Sequence, residues 1–109
     1  MKFTKLGEFE ELVLLTIGAL QDNAYGVSIK NEIEGKTERR ASIGALHSAL
    51  NRLEKKGFVH SSLGGAKAER GGRRKRYYTI TQAGEHALLK NYRLRTDLIR
   101  LIPNISIDQ

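Results

Sequence analysis

The chain contains no cysteine. Disulfides, thiol nucleophiles and Cys-ligated zinc or iron–sulfur centres are therefore excluded. Tryptophan is also absent, proline occurs once, and aromatic residues make up only 6%. A platform that stacks single-stranded bases needs an aromatic-rich surface, so that mode is not expected. His47, His60 and His86 lie far apart, with no pair at metal-ligand spacing, and neither a metal nor another cofactor is expected. The longest apolar run, Leu12-Val13-Leu14-Leu15, is far too short to cross a bilayer. The opening MKFTKLGEFEELV puts acids where a secretory signal needs its apolar stretch, so the expected location is the cytoplasm. There is no Ser/His/Asp set, P-loop or dinucleotide fingerprint, and an enzyme is not expected.

What the chain has is positive charge. Among 109 residues, 19 are Lys or Arg and 12 are Asp or Glu, a net +7. This length suits one small domain, and 39% hydrophobic residues are enough to give it a core. A charge of this size on so short a chain points to a polyanion, nucleic acid before acidic membrane. The distribution sharpens the point. Residues 1–35 sum to −3, residues 36–76 to +9 and residues 77–109 to +1. Arg70, Arg73, Arg74, Lys75 and Arg76 are five bases within seven residues. A solubilising surface would mix the signs.

Apolar spacing predicts a helix over about 5–21, with Phe9, Val13, Ile17 and Leu20 on one face and Leu12 and Leu15 on another. Glu8, Glu10 and Glu11 would then form a solvated face matched to the helix dipole. Asp22-Asn23 offers an N-cap for a second helix, about 24–35, in which Tyr25, Ile29 and Ile33 share a face. Gly26 inside that helix suggests close packing. A third helix runs from about Ser42, its cap, to Lys56, with Gly57 just past its end. Ile43, Leu46, Leu50 and Leu53 line one side within about 80° of arc. Gly44, Ala45, Ser48, Asn51, Arg52 and Lys55 occupy the other side. Residues 58–63 and 74–80 read as a hairpin, joined by the glycine-rich basic tip 64–73 that no core can order. Of Tyr77 and Tyr78, one is expected in the core and one partly exposed. Thr81 caps a last helix that reaches about Ile102, before Pro103. Its apolar arc spans about 180°, broad for a helix at the end of a small domain, and Arg95 stands within it.

The expected fold is thus mainly α with a small β-hairpin: a winged helix-turn-helix over 1–81, followed by a dimerisation helix and tail over 82–109. Two short helices and an amphipathic third suit a major-groove reader, and a basic hairpin after it suits a wing on phosphates. The run Ser42 to Val59, with Leu50-Asn51-Arg52-Leu53-Glu54-Lys55-Lys56-Gly57, resembles the recognition helix and first wing strand of PadR-type transcriptional regulators. Arg74 to Gly84 resembles that family's junction between wing and last helix, and Leu12 to Leu20 with Tyr25-Gly26 resembles its opening helices. The likeness covers about residues 5–90, and related MarR-like winged helices share part of it. It implies a dimeric regulator, commonly a repressor, that dimerises through its last and first helices. Two departures stand out. His47 replaces the usual Tyr, and the C-terminal part is a single helix, as in the compact branch of the family.

The candidate DNA contacts are Ser42, Ala45, His47, Ser48, Asn51 and Arg52 on the third helix. Arg39, Arg40, Lys55, Arg70, Arg73, Arg74, Lys75 and Arg76 are the candidate backbone contacts. The candidate dimer face is Phe9, Leu88, Tyr92, Leu94, Leu98, Ile99 and Ile102. Arg95 would pair with a partner subunit's acid, in the manner of Glu8 or Glu11, or snorkel. The residues leave open an RNA-binding winged helix and a protein-interaction module with an acidic partner. A dimer of apolar helices can also enclose a small-molecule effector, but no residue names one.

Overall fold

The computed structural model describes residues 5–64 and 74–106. Helix α1 (Glu8–Leu20) is followed by a 3-10 turn at Gln21–Asn23, then α2 (Gly26–Thr37) and α3 (Ile43–Lys55). Strands β1 (Val59–Gly64) and β2 (Lys75–Ile80) precede α4 (Gln82–Arg100). The strands pair antiparallel, with Val59 opposite Ile80 and Gly64 opposite Lys75. This is a winged helix with a long additional helix.

The helix ends follow local chemistry. The Ser42 hydroxyl oxygen accepts the Ala45 N–H at 3.0 Å, and Thr81 Oγ1 accepts the Gly84 N–H at 3.1 Å. Both caps agree with the sequence. Gly57, just past α3, has φ +80°, a conformation in which a side chain is strained. The cap of α2 differs from expectation. Asp22 and Asn23 form a 3-10 turn, Tyr25 is the N-cap, and its N–H donates to Ser28 Oγ at 2.9 Å. Gly26 is therefore the first helical residue, and a Cβ there would meet nothing within 4 Å, so close packing does not explain it. Helix α2 also runs past Gly35 to Thr37, closing on Glu38 with φ 59°.

The core gathers Val13, Leu14 and Ile17 of α1, Ile29 and Ile33 of α2, and Leu46, Ala49, Leu50 and Leu53 of α3. Ala24, Phe58, Val59 and Tyr78 close it. Ile43, expected in the apolar row of α3, is 47% exposed, because Ala49 turns to the core in its place. The sequence also gave no sign of a third backbone partner for the hairpin. Tyr25 forms an isolated antiparallel bridge with Tyr77, and the Tyr78 N–H donates to the Ala24 carbonyl at 2.9 Å. The α1–α2 connection is thereby fixed to the wing.

Helix α4 leaves this core quickly. Gly84 is its one buried residue among those described, and Ala87 and Leu88 pack on the core's edge. Beyond them Tyr92, Leu94, Leu98, Leu101 and Ile102 are exposed, Leu101 by 76%. The last turn tightens, with Leu101 and Ile102 N–H groups bonding three residues back, before Pro103 ends the run. No described helix is long and apolar enough to cross a membrane.

Candidate nucleic-acid interface

The capping of α3 by Ser42 and the burial of Leu46, Leu50 and Leu53 dictate what the helix presents outward. Gly44, Ala45, His47, Ser48, Asn51 and Lys55 are all exposed. The Ser42 oxygen is engaged by the cap, which leaves its hydroxyl proton free to donate. A groove of about 460 Å³ runs beside this helix, lined by His47, Leu50 and Asn51 of α3, Lys75, Arg76 and Tyr78 of β2, and Tyr25, Gly26 and Val27. The structure thus brings the third helix and the base of the wing to one side of the molecule.

Each wing cation has a particular setting. Lys75 Nζ lies 4.5 Å from the centre of the Tyr25 ring, a cation–π contact. Tyr25 in turn meets Tyr77 edge-on, with ring centres 5.5 Å apart. Tyr78 is buried on the opposite face, and burial pushes its phenol pKa up. Arg76 Nη1 donates to Ser61 Oγ at 3.0 Å, and Ser61 Oγ donates to Glu54 at 2.8 Å. Arg74 is exposed. Arg70 and Arg73 lie outside the described residues. Arg40 and Lys55 are exposed.

The expectation for the acids of α1 changes. Glu8, Glu10 and Glu11 do not form a plain solvated face: each meets a base from another element. Arg39 lies 3.8 Å from Glu8 and 5.3 Å from the centre of the Phe9 ring. Arg52 donates through Nε to Glu10, which also accepts from Lys56 Nζ at 2.6 Å and from the Gly7 N–H at 3.2 Å. Arg95 pairs with Glu11 of its own chain at 3.1 Å. Arg39 and Arg52, both candidate DNA contacts, each pair with an acid of α1 while their side chains stay about half accessible, 43% and 51%. The signal for Glu10 was available. It shares a helical row with Val13, Leu14 and Ile17, and an acid in an apolar row calls for a buried partner. Of the candidate dimer face, Phe9 and Leu88 pack on the chain's own core, while Tyr92, Leu94, Leu98, Ile99 and Ile102 remain exposed. Among the described residues no three His, Asp or Glu side chains stand together as metal ligands.

The sequence profile of the transcriptional regulator PadR-like family matches residues 13–90. Solved structures resemble most of the chain. A PadR family transcription regulator from Clostridium difficile R20291 is 22% identical, with a TM-score of 0.71 over 85% of this chain and 93% of its own. A PadR-like transcription factor from Bacteroides fragilis is 20% identical, with a TM-score of 0.72 over 90% and 89%. A transcriptional regulator from Clostridium thermocellum is 26% identical, with a TM-score of 0.64 over 87% and 89%. No curated protein matches the sequence.

Proposed function

The chain belongs to the transcriptional regulator PadR-like family, and on that premise we propose that it is a homodimeric repressor that binds an inverted repeat in double-stranded DNA. Membership makes it a regulator of transcription and not an enzyme. The observation that carries the finer reading is the shared groove, where Asn51 and His47 of α3 stand beside Lys75 and Arg76 of the wing. Ser48 and Asn51 can hydrogen-bond base edges, and Ala45 can meet a thymine methyl. Ser42, Arg40, Lys55, Arg74, Lys75 and Arg76 supply phosphate contacts that set the register, with Arg70 and Arg73 continuing the series in sequence.

The exposed apolar row of α4 supports the dimer. Tyr92, Leu94, Leu98, Ile99 and Ile102 follow one another along it, and Leu15 of α1 is half exposed as well. Soluble monomers seldom leave a contiguous apolar patch beyond roughly 300–600 Å² uncovered. Two-fold pairing would bury this row and set two α3 helices against one duplex.

Selection of bound sequences from a random duplex pool tests the reading. The expected product is an inverted repeat with half-site centres roughly 34–36 Å apart. Asn51→Ala should then change the base preferred at one position, by about 1–3 kcal/mol. Preference for RNA over duplex DNA would favour an RNA-binding module. No duplex affinity at moderate salt would favour an acidic protein partner.

A further inference from the structure

Glu10 is a carboxylate where a small domain has little reason to keep one. Only 6% of the residue is exposed, in a row that otherwise packs the core. Burial alone would raise its pKa. Hydrogen bonds from Lys56, Arg52 and the Gly7 N–H outweigh burial and hold it below the ordinary glutamate value, so it is ionised at neutral pH. Replacing a buried ion pair by apolar side chains of similar volume is often neutral or stabilising. Stability is thus a weak reason for this node.

Its position supplies a better one. Arg52 lies in the C-terminal half of α3, the helix proposed to enter the major groove, and Lys56 is the residue that caps its C-terminus. Arg52 follows Asn51 directly, and it lies one helical turn beyond Ser48. Its side chain is still 51% accessible, so the guanidinium sits at the edge of the exposed surface. Lys55 and Lys56 are neighbours with opposite fates. Lys55 is exposed and has no acid beside it among the described residues. Lys56 is held by Glu10 at 2.6 Å and by the Lys5 carbonyl at 2.7 Å. A free cation at the end of a recognition helix binds any phosphate within reach, whatever the sequence. Each such contact raises the affinity for random DNA and dilutes the discrimination made by Ser48 and Asn51.

We propose that Glu10 is a specificity-determining residue that acts by subtraction: it holds Arg52 and Lys56 against α1 and keeps both out of phosphate contact. This rests on the DNA-binding reading above. The Glu8–Arg39 contact at 3.8 Å repeats the pattern more weakly, on an exposed acid.

The test is affinity for a random-sequence duplex, measured against salt, for the intact chain and for Glu10→Gln, Arg52→Gln and Lys55→Gln. Glutamine keeps the size of Glu10 and removes its charge. Each cation that reaches phosphate contributes about 0.9 to the slope of log affinity against log salt. Glu10→Gln should steepen the slope by about 0.9–1.8 per chain and tighten random-duplex binding, a gain that mere loss of structure does not produce. Arg52→Gln in the otherwise intact chain should leave the slope where it was, and Lys55→Gln should lower it by about 0.9. Glu10→Gln/Arg52→Gln should lose Arg52's share of the gain. An unchanged or shallower slope in Glu10→Gln overturns the proposal, and so does a drop of about 0.9 in Arg52→Gln. If Glu10→Gln does not fold, Arg52→Gln decides alone. An intact chain without salt-dependent duplex affinity would remove the DNA-binding reading and this proposal together. Duplex binding by the intact chain, with a flat response in Glu10→Gln, would remove only the proposal.

Discussion

The two ends of α4 obey different rules. At the first turn the helix is pressed against the wing: a Cβ on Gly84 would stand 2.3 Å from the Phe58 carbonyl oxygen and 2.9 Å from Ile80 Cγ1. Thr81 fastens the same turn, donating its N–H to the Phe58 carbonyl at 3.0 Å and its hydroxyl to the Gly57 carbonyl at 2.6 Å. At the other end Leu98, Leu101 and Ile102 lie in solvent. The one ion pair found between this half and the rest of the described chain is Arg95 with Glu11. The first end is fixed by the chain's own backbone and sets the direction of the helix. The second carries apolar surface that the chain itself does not cover. A helix aimed so firmly and left so bare suits a surface made for another copy.

The sharpest way to break the anchored end is Gly84→Ala. The oxygen it would strike is backbone and paired to Thr81, so it has nowhere to move. Overpacking of this kind should cost about 3 kcal/mol, read as a fall in thermal midpoint of roughly 4–8 °C per kcal/mol at fixed protein concentration. A midpoint within error of the parent's would show that the approach is looser than described. Thr81→Ala comes next. It removes a helix cap and the Gly57 bond together, and should cost about 1–2 kcal/mol.

Acid probes the packed side of the comparison. The folded pKa of Glu10 lies below its ordinary value. A group depressed in this way adds stability above its unfolded pKa and loses that contribution as pH falls through the folded one. Stability should therefore drop on acidification below the normal glutamate range, and less steeply in Glu10→Gln. Parallel pH profiles for the two proteins would count against the node. The smallest effect belongs to the bare end. In a dissociated chain Leu101→Ser should move stability by no more than about 0.5 kcal/mol, the usual range for surface changes away from special features. Chemical denaturation of a Leu98→Glu, Ile99→Lys background would measure it.

Much of this contrast can be read from residues. The caps Ser42 and Thr81 and the stop at Gly57 each depend on the chemistry of one residue, so local reading finds them. The broad apolar arc of α4 was legible for the same reason. Gly84 was legible only as part of a family-like run, because the carbonyl it must avoid belongs to Phe58, in another element. The cap of α2 was misplaced because Ser28 reaches back to Tyr25, which outcompetes the Asp22-Asn23 pair as a start signal. The partners of Glu8, Glu10 and Glu11 come from the α2–α3 turn, α3 and α4, and no spacing within α1 announces them. Lys75 over the Tyr25 ring is hidden likewise, since fifty residues separate the two.

The central claim is that the bare end of α4 pairs two chains so that two α3 helices meet one duplex. Sedimentation of the intact chain beside the Leu98→Glu, Ile99→Lys double variant tests it most directly. The intact chain should sediment as a dimer at micromolar concentration, and the variant as a folded monomer that no longer prefers an inverted repeat. An intact chain that stays monomeric at high micromolar concentration would contradict the account. So would a variant that dimerises and binds the inverted repeat as well as its parent.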